Sequence, residues 1–209
     1  MAKTTTKTTT RAATKSTEPK TSAAKSIVSL KITLNGIKPP IWRRLLAPGA
    51  MTLGELHHAI QAVMGWYDGH LHAFDIGGRQ YGDSSTVDDV ADEQRLTLNS
   101  VIKSGVARFT YTYDFGDDWE HIVAIEKTQP ASEGKSYPTC VAGARSCPPE
   151  DCGGPWGYHH LLEVLADPEH PEYAEQIEWV RDDFDPDEFS VETTDARIAT
   201  RINRKKILL

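Results

Sequence analysis

Long apolar runs are missing from this chain of 209 residues, and cysteine is scarce. No stretch approaches the roughly 18–20 apolar residues that cross a bilayer, so no membrane span is expected. The first residues lack the apolar segment of a secretory signal, which points to a cytoplasmic protein. The cysteines are Cys140, Cys147 and Cys152. An odd count without a signal argues against a secreted disulfide framework. Their C-x6-C-x4-C spacing also misses the paired knuckles of a structural zinc site. Such a site would need His159 or His160 as a fourth ligand, and local packing or a loose redox pair is the plainer reading. Gly153-Gly154 is followed by Pro155 and by no Lys-Ser/Thr, so it is not a phosphate loop. No Ser-His-Asp or Cys-His pattern has a nucleophile context.

Charge is unevenly placed. Residues 1–26 carry Lys3, Lys7, Arg11, Lys15, Lys20 and Lys25 against Glu18, a net +5, while the whole chain is −7, leaving −12 on residues 27–209. An acidic body repels phosphate and makes broad nucleic-acid binding a poor expectation. Residues 1–26, built of Lys and Thr, hold too little apolar surface to fold, and read as a disordered basic tail. Residues 27–205 are expected to form a single domain.

Ile27–Leu34 alternates and is rich in β-branched residues, so it reads as a strand, followed by an Asn35-Gly36 turn and a second strand over Ile41–Leu46. Thr52-Leu-Gly-Glu55 matches a capping box. Leu53, Leu56, Ile60, Val63 and Met64 then share one helical stripe, which Gly65 ends. His70–Ile76 is a strand candidate. The acidic stretch 80–95 reads as a loop. Arg108–Asp114 and Trp119–Lys127 alternate strictly around Phe115–Asp118 and predict a hairpin. Residues 128–154 read as a long loop, a kind often tied to function. Helices are expected near 155–166, 171–182 and 190–203. Strands first and helices last predict α+β: a mixed or mostly antiparallel sheet, one packed helix over about 52–64, and a C-terminal helical region.

Several side chains invite a chemical reading. His70 and His72 lie two apart on a predicted strand, so both project to one face and can bind a divalent transition metal. His57 lies about 40° around the helix from Leu53, toward the apolar stripe. His121 shares a strand face with Trp119. Each can equally serve a local hydrogen bond in a packed core. Asp117, in the hairpin turn, either satisfies backbone N–H groups or joins His121 as ligand or general base. Glu150 and Asp151 precede a helix, whose dipole favours acids there; on a long loop they are also general acid/base candidates.

Four segments carry a family likeness: Trp42-Arg43-Arg44; Leu56-His57, Ile60-Gln61 and Gly65-Trp66 through His70-Leu-His-Ala-Phe74; Tyr113-Asp-Phe-Gly-Asp-Asp-Trp-Glu-His121 with Glu126; and Cys147-Pro-Pro-Glu-Asp-Cys-Gly-Gly154 with Gly157-Tyr158. Together they resemble the Ri-plasmid ORF-3-like family, also labelled as the passenger protein of an insertion element, over residues 27 to 190. The resemblance implies a compact bacterial or archaeal α+β domain carried on plasmids, mobile elements and chromosomes. It also implies that Cys152 is replaceable by an apolar residue in relatives, which weighs against a metal role for that thiol. Some members carry a resolvase-like label. No serine set among arginines, and no basic helix-turn-helix, supports that label here.

Two functions fit these residues. One is a non-enzymatic binding or accessory module for a protein or small-molecule partner. The other is a metal-dependent hydrolase with His57, His70, His72, His121 and Asp117 around the ion, and Glu150 or Asp151 as general acid/base.

Overall fold

The structure is a computed structural model that describes residues 26–180 and 184–202. Of the predicted tail only Ser26 is among them; residues 1–25 lie outside the described part. The chain builds an eight-stranded open sheet with helices, an α+β architecture.

β1 (Ser26–Leu34) is an interior strand, and Ile27, Val28, Leu30, Ile32 and Leu34 are buried along it. It pairs antiparallel with β2 (Trp42–Pro48) on one side, across the turn at Asn35-Gly36, with Ile32 opposite Arg43. Thr52 then caps α1 (Leu53–Met64). Its hydroxyl accepts from the Glu55 N–H while the Glu55 carboxylate accepts from the Thr52 N–H. This reciprocal cap is worth about 1 kcal/mol. Leu53, Leu56, Ile60 and Val63 are fully buried, and Gly65 closes the helix in the left-handed region, donating to the Gln61 carbonyl.

β3 (His72–Ile76) begins two residues later than the sequence suggests. Asp68 (φ 66) turns the chain, so His70 lies outside the strand and does not share a face with His72. The stretch 80–95, expected as loop, contains sheet instead. β4 (Arg79–Gly82) folds back on β3, and β5 (Ala91–Asp92) pairs parallel with β4 before a 3-10 turn over Glu93–Arg95. These strands are too short to show alternation, and tertiary pairing creates them. α2 (Leu98–Lys103) follows, capped by Thr97.

β6 (Arg108–Tyr113) and β7 (Trp119–Pro130) form the predicted hairpin, with Tyr113 opposite Trp119, Tyr111 opposite His121 and Phe109 opposite Val123. All six side chains are buried. β7 also pairs with β1. The long loop expected over 128–154 is shortened, because β7 runs to Pro130 and β8 (Thr139–Ala144) adds an edge strand beside β2. Small residues in Thr139–Ala144 hide its period.

α3 (Gly154–Ala166), α4 (Tyr173–Val180) and α5 (Val191–Arg201) complete the helical C-terminal part. The strand order is β5-β4-β3-β6-β7-β1-β2-β8, with β4–β5 the one parallel pair among the described residues. α1 packs against α5, whose Ile198 is fully buried.

Candidate functional site

The middle of α1 and the hairpin meet in a polar network inside an otherwise apolar core. His57 projects from α1 toward β6. Its Nδ1 lies 2.8 Å from the Tyr111 hydroxyl, and its Nε2 lies 2.6 Å from Oδ1 of Asp68. Burial lowers the His57 pKa, working against the Asp68 hydrogen bond that would raise it. Nε2–H of neutral His57 donates to the carboxylate, which leaves Nδ1 to accept from Tyr111. The Gln61 amide donates to the same hydroxyl at 3.0 Å. The neighbouring His58 places Nδ1 3.2 Å from the other Asp68 oxygen. Asp68 is held below the usual carboxylate range by hydrogen bonds from His57 and His58, and His58 is raised by the same contact. His72, from β3, stacks on His57 with ring centroids 3.5 Å apart, and its Nε2 lies 2.8 Å from Glu93, itself only 4% exposed.

A second group forms where the hairpin turn meets the loop before α3. His70 places Nδ1 3.6 Å from Asp114 and Nε2 3.2 Å from the exposed Asp151. Glu150 accepts from the Tyr67 N–H at 3.0 Å and from the Tyr113 hydroxyl at 2.6 Å, so it straps this loop to β6. Asp117 accepts from the Gly153 N–H at 3.2 Å. Close approach here depends on Gly154 (φ +67), where a Cβ would lie 2.3 Å from the Asp117 carbonyl oxygen.

The sequence candidates therefore divide. His57 and His72 touch each other; His70 and Asp151 meet at Asp114; Asp117 and Glu150 are spent on backbone and tyrosine donors. His121 is wholly buried, with its Nδ1 3.2 Å from the Tyr111 carbonyl, and burial drives its pKa down to about 4. These side chains do not gather at one point. Cys147 and Cys152 are pushed by burial up to about 12, which leaves both as thiols rather than reactive thiolates.

A cleft of about 520 Å³ opens beside these groups, between the C-terminal end of α1, the Ser146–Asp151 loop and the segment from Phe184 through α5. Trp66, Trp179, Phe184 and Phe189 give it aromatic walls, and Arg43 and Arg197 line it as well. Arg43, 2% exposed, donates from Nε to the Val63 carbonyl and from one terminal nitrogen to the Trp42 and Ala144 carbonyls. Its guanidinium stacks on Phe189 at 4.6 Å. Gly143 makes room for that ring, since a Cβ there would lie 2.5 Å from it. Arg201 donates to the Trp66 carbonyl. Among the described residues, none of Arg43, Arg197 and Arg201 forms an ion pair with a carboxylate. Ser146 hydrogen-bonds the Asp185 and Glu188 carbonyls, and Arg145 pairs with Asp187 at 2.8 Å, fastening the far wall to β8.

Sequence reasoning missed His58, Asp68, Tyr111, Glu93 and this arginine cluster. The tandem His57-His58 on a well-capped helix was a readable signal. Asp68 and Glu93 reach their partners only through tertiary folding.

An open, mostly antiparallel sheet carrying helices, with a polar network at α1 and an adjoining cleft, defines an α+β class of domain. The chain belongs to the plasmid pRiA4b ORF-3-like protein family, whose model matches residues 26–193. It is 43% identical over 157 residues to the uncharacterized protein y4hQ of Sinorhizobium fredii (strain NBRC 101917 / NGR234), covering 74% of this chain and 80% of that protein. The crystal structure of MM3350, a protein of unknown function from Methanosarcina mazei Go1, is similar with a TM-score of 0.76 and 42% identity, over 80% of this chain and 97% of that one. No helix among the described residues is long and apolar enough to cross a membrane.

Proposed function

We propose that the chain is a non-enzymatic binding module whose cleft takes a small anionic ligand with an apolar or aromatic body. The observation that carries this is Arg43: a buried guanidinium in the cleft wall with no carboxylate partner among the described residues. A buried charge is normally paired. The C-terminal end of α1 supplies about half a negative charge. Arg43 and Arg201 donate to carbonyls at that end and Arg197 lies against Gly65, which is three positive charges in all. The helix end offsets part of that, and Glu150, Asp151 and Glu188 also line the cleft, but none of them pairs with these arginines among the described residues, so a ligand carboxylate or phosphate would supply the missing partner. Trp66, Trp179 and Phe184 suit a flat apolar body.

The test is thermal unfolding with 2-naphthyl phosphate. Binding to the folded state raises Tm with ligand concentration. The expected result is a concentration-dependent rise in wild type and a much smaller one in Arg197→Gln. No rise in wild type, or an equal rise in both proteins, would overturn the reading.

A further inference from the structure

We infer that His57, His58 and Asp68 form a mononuclear site for a divalent first-row transition ion, zinc being the reference case. This site is separate from the anion cleft and does not depend on it. His57 Nε2, His58 Nδ1 and an Asp68 carboxylate oxygen all lie within 4.8 Å of one another, so small side-chain adjustments would bring all three to one ion. Two imidazoles and one carboxylate suit such ions, and leave a fourth position for water or a ligand atom. The alternative is a hydrogen-bonded triad that merely holds the Tyr67–Gly69 loop.

Three observations favour the ion. First, two of the donors are presented by one rigid element: the two histidines sit on α1, whose start is fixed by the Thr52–Glu55 cap, and Asp68 reaches them from the loop three residues beyond the helix C-cap. Second, access is right. The His57 side chain is 3% exposed, while His58 and Asp68 are 58% and 34% exposed, so one ligand is anchored in the core and the other two face solvent. Third, the support behind His57 can reverse its direction. A metal-bound imidazole commonly donates its other N–H to a fixed acceptor. With an ion on Nε2, the His57 proton moves to Nδ1 and is donated to the Tyr111 oxygen. The Tyr111 hydroxyl keeps its proton but must then donate its hydrogen bond to a different acceptor. The Gln61 amide already touches that hydroxyl through its nitrogen, and its buried Oε1 has no partner among the described residues. An amide flip turns Oε1 to the Tyr111 hydroxyl and completes the reversed chain.

The cluster of His70, Asp114 and Asp151 also brings three ligand atoms within 4.8 Å of one another. Asp114 already accepts from the Gly116 N–H at 2.9 Å, and His70 is its only imidazole. It therefore serves as the internal control.

The experiment uses the full chain, stripped of metal with a chelator and then dialysed. Cobalt(II) is titrated while its visible d–d absorption is followed, and zinc(II) is then added to displace it. Wild type, His58→Ala, Asp68→Asn and His70→Ala are compared, with circular dichroism confirming that each is folded. The expected result is one cobalt per chain in wild type and in His70→Ala, displaced by zinc, with affinity at least about tenfold weaker in His58→Ala and Asp68→Asn. No cobalt band in folded wild type would overturn the proposal. So would a band that persists in His58→Ala and Asp68→Asn, or one lost only in His70→Ala. His58 and Asp68 are partly exposed, so neither substitution empties the core.

Discussion

The imidazole rings of His57 and His72 stack face to face, with centroids 3.5 Å apart and planes 6° from parallel. Two imidazolium ions at that distance would repel strongly. The stack is stable with at most one of them charged, and burial first, with the neighbouring His72 as a lesser cause, lowers the His57 pKa. Glu93 secures the pair from the far side by accepting from His72 at 2.8 Å. Glu93→Ala is therefore expected to strand a buried imidazole N–H and destabilise the fold by about 2–3 kcal/mol. Glu93→Gln keeps an acceptor of the same shape and should cost under about 1 kcal/mol. Urea denaturation of both variants checks this, and equal losses would contradict it.

Gly154 offers a test of the hairpin–loop contact. Its φ of +67 is unfavourable for other residues, and a Cβ would collide with the Asp117 carbonyl oxygen. Gly154→Ala should destabilise by more than about 2 kcal/mol, combining backbone strain with backbone displacement. Gly134, also at positive φ but with open space around it, should lose about 1 kcal/mol or less on the same change. Thermal unfolding of the two variants side by side measures the difference.

His121 makes acid stability predictable. Burial lowers its folded pKa to about 4, against 6.5 for the free imidazole. Between those values the unfolded chain binds a proton that the folded chain refuses. The contribution of a neutral His121 is thus complete above pH 6.5 and disappears as pH falls toward 4, amounting to roughly 3 kcal/mol. Its Nε2 is a buried acceptor without a partner among the described residues, so replacement by an apolar ring removes both features. His121→Phe should flatten the pH dependence of unfolding free energy between pH 4 and 6.5. An unchanged slope would show that another group carries it.

Much of the sheet was legible because its strands carry the period-two signal. Phe109, Tyr111 and Tyr113 alternate on β6 and are all buried, as are Trp119, His121 and Val123 opposite them. The α1 boundaries were legible because Thr52, Glu55 and Gly65 announce them. β8 was not, because Gly143 and Ala144 mimic a loop, and β5 is two residues long. The candidate site was legible only in part. His57 showed its inward face through helical geometry. Asp68 and Glu93 come to the two stacked histidines from loop and 3-10 turn, where no periodicity tells which way a side chain points. Arg43 read as one of two basic residues on a strand; only the fold shows that Arg44 pairs with Glu126 at 2.7 Å while Arg43 turns inward.

The binding-module account rests on the arginines at the C-terminal end of α1, and isothermal titration calorimetry of 2-naphthyl phosphate addresses it directly. The account predicts saturable one-to-one binding to wild type, weakened about tenfold or more in Arg197→Gln through loss of a charge-assisted contact. It also predicts weaker binding in Trp179→Ala through loss of an aromatic wall. An absence of saturable binding by wild type, or affinities untouched by both substitutions, would contradict it.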